Sequence, residues 1–201
     1  MIIDDGVCDP FITDCATVTV VNDPSISVNP SGNTICEGGN SSMNVTATGG
    51  TPSSSYQWQS SPNGIDTWSD VGTDQNSYNT GTLNTDGNYY YRVQVSASGI
   101  GCTTITSSSA LITVVDDAVI STDLSDVTIC SGSTHTYDID ISGGTGDLTY
   151  TWEDSPNGSS SWNTIGTDSD VYTTASLTTT RYYRVGITQA GSGCDALNSN
   201  E

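Results

Sequence analysis

Residues 56–72 read YQWQSSPNGIDTWSDVG, and residues 150–166 read YTWEDSPNGSSSWNTIG. Trp58 is matched by Trp152, Pro62-Asn63-Gly64 by Pro156-Asn157-Gly158, and Trp68 by Trp162, all at one offset (152 − 58 = 94). A repeat of that length, present twice, is the size of a domain rather than of a solenoid unit. Within each copy Tyr and Trp alternate along a strand and so share one face. The strand runs into a turn whose Pro fixes φ and whose Asn and Gly tolerate positive φ. A second strand with its own Trp follows, so each copy centres on an aromatic hairpin.

On either side of the hairpin the chain continues as short apolar-alternating runs broken by Gly, Ser, Asn and Asp, with no helical period of useful length. In the first repeat Ile26 and Val28 open the pattern. Met43, Val45 and Ala47 share one face, Tyr91, Val93 and Val95 share another, and ALITVV at 110–115 closes it. The second repeat follows with Ile129-Cys130, then Tyr137, Ile139 and Ile141, then Tyr183, Val185 and Ile187. Seven or more short strands, roughly 8–14 residues apart, predict an antiparallel β-sandwich in each repeat. The expected division is a leading segment 1–23, a complete sandwich 24–117 and a second sandwich 118–201.

Composition sets the chemistry. The chain has 201 residues, a third of them apolar, and a single Phe, so a few well-placed Trp, Tyr, Val and Ile residues must build each core. Three Arg (Arg92, Arg181, Arg184) and no Lys stand against 23 acidic residues, a net charge of −20. Such a surface repels phosphate backbones and anionic lipid, which argues against nucleic-acid and membrane-surface binding. No run of 18 apolar residues is present to span a membrane as a helix.

The six cysteines recur with the repeat: Cys36 and Cys130 are 94 apart, Cys102 and Cys194 are 92 apart. One pair per repeat, with partners roughly 65 residues apart, fits structural disulfides in an oxidising compartment. Each would add roughly 4 kcal/mol through loop entropy. Zinc is disfavoured, because no CxxC or Cys/His cluster exists.

The pattern I-C-x-G, Y-x-W with a following P-N-G and second Trp, L-x-T, Y-Y-R-V and G-C resembles the immunoglobulin-like repeats of long secreted surface proteins and adhesins of Bacteroidota-type bacteria. The resemblance covers residues 24–200. It implies an extracellular stalk, spacer or adhesive module. It also implies that Trp58 and Trp152 are the buried tryptophans of strand C, that Tyr91 and Tyr183 lie on strand F, and that the bridges join Cys36 to Cys102 and Cys130 to Cys194.

The ends are out of phase with the repeat. Residues 16–21 (ATVTVV) reproduce residues 110–115 at the same offset of 94, and Cys8 likewise precedes Cys102 by 94. The strand matching 110–115 in the second repeat would begin at 202. An orphan final strand therefore leads the chain, and the last sandwich lacks one. An incomplete sandwich exposes a sheet edge that recruits a strand from elsewhere.

Two arrangements satisfy this pattern. In one, Ala16, Val18 and Val20 of one copy complete the edge of Tyr183, Val185 and Ile187 in another, a heterologous contact that builds a filament. In the other, the chain is a window of a longer tandem array whose adjacent repeats lend the strand. Cys15 has no counterpart in the repeats. A local bridge from Cys8 to Cys15 suits the even count, whereas the window arrangement gives Cys8 a partner elsewhere.

Sites for chemistry are few. His135 is the single histidine and no Ser or Cys motif accompanies it, so no enzymatic role is expected. Asp138 and Asp140 alternate with apolar neighbours as a solvated strand face. Asn22-Asp23 and Asp116-Asp117 occupy equivalent domain junctions, where Asp23, Asp116 and Asp117, joined by Asp123 and Asp126, offer oxygen ligands for Ca2+. Trp68, Trp162 and Tyr90 are candidates for stacking on sugars, with packing the stronger expectation. The functional expectation is a structural building block of an extracellular fibre, stalk or filament, with identical subunits or adjacent repeats as partners. The alternative is an adhesive module that binds a glycan or protein through the loops at 60–66 and 155–161.

Overall fold

The protein is described by a computed structural model covering residues 16–50 and 53–200. Among these residues there is no helix. The chain forms two tandem immunoglobulin-like β-sandwiches.

In the first unit one layer holds β1 (Ser25–Val28) against β4 (Thr46–Thr48), and β3 (Ser42–Asn44) against β7 (Ser77–Asn79). The other layer runs in the order β2 (Asn33–Cys36), β10 (Ala110–Val115), β8 (Gly87–Ala97), β5 (Ser54–Ser61), β6 (Ser69–Val71), with β9 (Ile105–Thr106) also on β8. All these pairs are antiparallel except β2 with β10, which run parallel, Val115 beside Cys36. Period-two alternation sends Tyr91, Val93 and Val95 of β8, and Ala110, Ile112 and Val114 of β10, into one core with Ile35, Met43 and Val45. Val28 departs from the expected pattern. A bulge between Ile26 and Val28 shifts the register, and Val28 turns out to solvent.

The aromatic hairpin anchors both units in the same way. Trp58 is fully buried, stacks on Tyr78 at 5.7 Å, and donates its indole N–H to the Gln75 carbonyl at 2.9 Å. Trp152 stacks on Tyr172 at 5.5 Å and donates to the Ser169 carbonyl at 2.7 Å. Each indole thus buries its apolar surface without orphaning its one donor.

The second unit repeats the first with β11 (Val119–Thr122) on β13 (Asp140–Ser142) and β12 (Thr136–Asp138) on β16 (Val171–Thr173). Its larger sheet is β15 (Asn163–Thr167), β14 (Leu148–Ser155), β17 (Tyr182–Gln189), β18 (Leu197–Asn198). The fully buried part of its core is smaller: Ile139, Trp152, Val185 and Ile187.

Candidate functional site

The difference between the two units lies at one sheet edge. In the first unit β10 fits between β2 and β8, and Ala110, Ile112 and Val114 are buried. The second unit has no described strand in that place. Residues 127–130, the repeat of β2, consequently form no strand, because among the described residues β2 has β10 as its only ladder partner. Ile129 is half-buried and Cys130 exposed, whereas Ile35 and Cys36 are fully buried. What remains is a cleft of about 680 Å³ lined by Leu124, Val127, Ile129, Tyr137, Leu177 and Tyr183. Burial pushes the hydroxyls of Tyr137 and Tyr183 above the ordinary tyrosine range, with Asp126 and Asp154 respectively adding to it.

The edge expected to accept a strand is narrower than Tyr183, Val185 and Ile187 together. Ile187 pairs with Leu197 of β18, and the Val185 N–H donates to Ser199 Oγ at 2.9 Å while its carbonyl accepts from the Ser199 N–H at 3.0 Å. Nothing among the described strands pairs with the far side of Tyr183. The loop after β17 folds back onto the second half of that strand, as β9 does on β8, and leaves the first half bare. On the donor side, Ala16, Val18 and Val20 lie in no strand. Val18 is 87% and Val20 90% exposed. The expected extra N-terminal strand is therefore not formed in a single copy, because a strand needs a ladder partner and this segment meets none.

The cysteine pairing also departs from expectation. Cys36 is bonded to Cys194, with 4.9 Å between their Cα atoms, and Cys102 and Cys130 are free thiols. The position of β2 separates Cys36 from Cys102, and Cys194 is bonded to Cys36 rather than to Cys130, so neither expected pairing forms. Because β2 lies parallel to β10, Cys36 sits beside the start of β8, near Gly87. Cys102 follows the end of the same eleven-residue strand, roughly 30 Å away. The two cysteines of one repeat occupy opposite ends of its sandwich. Cys8 and Cys15 lie outside the described residues.

The Cys36–Cys194 bond therefore joins the two units. Around it the Cys36 N–H donates to the Ser192 carbonyl at 3.0 Å, and the Asn40 N–H to Ser192 Oγ at 3.1 Å. Gly39 and Gly193 approach so closely that a Cβ on Gly39 would strike the Ser192 carbonyl and one on Gly193 the Gly39 nitrogen. The loop after β17 is seated in the turn after β2, and the disulfide locks it there.

The acidic junction residues divide into two groups. Asp117 Oδ1 accepts the Asp195 N–H at 3.3 Å, and Asp23 Oδ1 accepts the Thr103 N–H at 3.2 Å. Both hold the loop after the long strand of their own unit. Asp123 takes the Asn200 N–H at 3.1 Å. Carboxylates that converge, within 4.8 Å of one another, are those of Asp116, Glu37 and Asp86. Glu37 and Asp86 were not legible as neighbours of Asp116, since they are brought there by the β2 and β8 ends.

An arginine covers one face of each candidate sugar-stacking tryptophan. The Arg92 guanidinium lies 4.1 Å over Trp68, and Arg184 lies 4.1 Å over Trp162 while bonding Glu153 at 2.8 Å. Tyr90 packs against Gly64, where a Cβ would come within 2.5 Å of its ring. The turns at 60–66 and 155–161 bond internally: Asn63 Oδ1 accepts from Ile65 and Asp66, Asn157 Oδ1 from Ser159 and Ser160. His135 packs edge-on to Tyr137 at 4.7 Å, at the rim of the open cleft.

Comparison with known proteins places this geometry in a wider group. The structure is similar to the I-band fragment I67-I69 from titin, with 14% identity and a TM-score of 0.52 over 89% of this chain and 64% of that one. It is also similar to the three N-terminal domains of the bacteriophage RB49 Highly Immunogenic Outer Capsid protein, with 14% identity and a TM-score of 0.55 over 90% of this chain and 65% of that one. The Sidekick-1 immunoglobulin domains 1-4 align at 12% identity and a TM-score of 0.45, over 92% of this chain and 49% of that one. The chain thus spans less than two thirds of the titin and capsid-protein chains, and at this identity their likeness to it is one of fold. No curated protein sequence matches it. A family described as "Domain of unknown function (DUF8696)" matches twice, at residues 26–116 and 119–201. The chain belongs to that family, as two tandem copies of its domain.

Proposed function

We propose that the protein is a structural module of an extracellular fibre or stalk whose units join head to tail, a strand of the kind formed by residues 16–21, from another copy or a neighbouring repeat, completing the open edge of the second unit. The observation that carries this is the cleft beside Tyr183, in the place that β10 fills in the first unit. Residues 16–21 repeat 110–115, with Ala16, Val18 and Val20 at the positions of the inward-facing Ala110, Ile112 and Val114. Seated there, they would supply the fourth wall of a core that now holds few fully buried residues. Burying the two valines contributes roughly 3–5 kcal/mol in addition to the main-chain ladder. The contact is heterologous and repeats without closing, so it generates a filament. An oxidising, extracellular location fits the disulfide at the junction.

Sedimentation velocity of the pure chain in reducing buffer tests this. The unaltered chain is expected to form a concentration-dependent series of species, and V18D/V20D to remain a single monomer. A chain that stays monomeric at the highest soluble concentration, or a V18D/V20D variant that associates equally well, overturns the reading.

A further inference from the structure

The two free thiols occupy copies of the two halves of the bond that joins the units. Cys130 repeats Cys36, and Cys102 repeats Cys194. Each half is already built. After Cys36 the Gly39 N–H donates to the Cys36 carbonyl at 3.1 Å, the Gly38 N–H donates to the Leu83 carbonyl at 2.8 Å, and the Gly39 carbonyl accepts from the Leu83 N–H at 2.9 Å. After Cys130 the Ser133 N–H donates to the Cys130 carbonyl at 3.0 Å, and Ser133 bridges Leu177 in the same way. The Cys194 N–H donates to the Gly191 carbonyl at 3.4 Å, and the Cys102 N–H to the Gly99 carbonyl at 3.2 Å. Asp117 and Asp23 hold these two loops through equivalent bonds to Asp195 and Thr103. The turn after Cys130 and the loop before Cys102 thus keep their hydrogen bonds without a partner, although Cys130 itself lies in no strand.

We infer that Cys130 of one copy forms a disulfide with Cys102 of the next, repeating between copies the Cys36–Cys194 bond within each. This deepens the head-to-tail reading, on which it rests. Cys130 lies at the end of the second unit where the cleft opens, between the cleft-lining Ile129 and Ser131. Residues 22–23 link the donor segment to the first unit as 116–117 link β10 to the second. A copy whose residues 16–21 enter the cleft therefore brings its Cys102 loop to Cys130. Ile100, at the tip of that loop and fully exposed, stands where Ser192 makes contact in the formed junction. Two differences are visible: Ile100 has no hydroxyl to accept the bond that the Asn40 N–H gives Ser192 Oγ, and the turn after Cys130 carries a side chain where its counterpart has none. Ser133 replaces Gly39, so its Cβ holds the incoming loop further out. The observed Cα separation of 4.9 Å is short enough that an added ångström stays within bonding range.

The chemistry is thiol–disulfide exchange with a low-molecular-weight disulfide such as glutathione disulfide as oxidant. One cysteine thiolate attacks it, forming a mixed disulfide and releasing one glutathione thiolate. The second cysteine thiolate then attacks the protein sulfur and releases the other glutathione. Two thiols lose two protons and two electrons in total, and glutathione disulfide is reduced to two glutathione molecules.

The test uses full-length C102S and C130S variants, each also carrying C8S and C15S, in a glutathione redox buffer, read on non-reducing gels. Their one-to-one mixture is expected to give a covalent species of twice the chain mass, at least tenfold more than either variant alone. Digestion at acidic residues is expected to return Cys130 linked to Cys102, and adding S133G is expected to speed the reaction. A C102S variant that dimerises alone as readily as the mixture, or cysteines that end only as glutathione adducts, overturns the inference. The two readings separate cleanly. Association that persists in reducing buffer without a cross-link under oxidation leaves strand completion standing and removes the bond. A cross-link unaffected by V18D/V20D leaves the bond and removes strand completion.

Discussion

Removing the Cys36–Cys194 bond should destabilise both units although it lies within neither. If the second unit unfolds while the first stays folded, the bond closes a loop from the linker to Cys194 (194 − 117 = 77 residues). If the first unfolds, the loop runs from Cys36 to the linker (116 − 36 = 80 residues). Loop-closure entropy for either is about 4.5 kcal/mol, and measured values for native bonds usually fall at about 2–4 kcal/mol. For a unit of this size each kcal/mol moves Tm by about 4–8 °C. C36A and C194A should therefore each lower the calorimetric Tm of the chain by about 10–25 °C, and the double variant should lower it no further. C102A and C130A in the monomeric chain should stay within about 2 °C of the unaltered protein. If C102A falls as far as C36A, the bonds lie within the units and the junction described above is wrong. If C36A and C194A add in the double variant, the two cysteines do not act as one bond.

Other consequences follow from single observations. Burial, reinforced by Tyr78 and Tyr89, raises the Tyr91 hydroxyl to about 12. Its folded value lies above its unfolded one, so its contribution is fully present below pH 10 and is lost as pH rises to 12; urea midpoints should be flat from pH 7 to 9 and fall above 10, less so in Y91F. Gly39→Ala places a Cβ against the Ser192 carbonyl and should lower Tm by several degrees, whereas Ser133→Ala in the monomer should leave it unchanged. If Glu37, Asp86 and Asp116 hold a divalent cation, millimolar calcium raises Tm by a few degrees and E37Q abolishes that rise; an unmoved midpoint in the unaltered chain removes the cation.

The repeated aromatic hairpin carried the fold. Trp58 and Trp152 alternate with Tyr at strand spacing, and the 94-residue offset alone divides the chain into two sandwiches. The pairing of cysteines was not legible by the same route. A 94-residue period relates Cys36 to Cys130 and says nothing of which end of the sandwich each occupies. That depends on β2 running parallel to β10, a long-range pairing with no local signature. The cluster of Glu37, Asp86 and Asp116 was hidden for the same reason, because it assembles at one end of three strands distant in sequence. Val28 shows the reverse case: alternation puts it on the same face as Ile26, and a single bulge turns it outward. The bare half of β17 was only partly foreseen, since the short return of β18 onto Ile187 rests on two residues too few to form a recognisable strand pattern.

Whether copies complete one another is tested most directly by amide hydrogen exchange as a function of protein concentration in reducing buffer. Residues 17–21 and the 181–184 edge lie far apart in sequence, and no described strand pairs with residues 17–21 or with the outer side of Tyr183. The account predicts that exchange at both slows together, by a hundredfold or more, as concentration rises. Rapid exchange at 17–21 under conditions where the chain associates, or protection at one segment without the other, would contradict it.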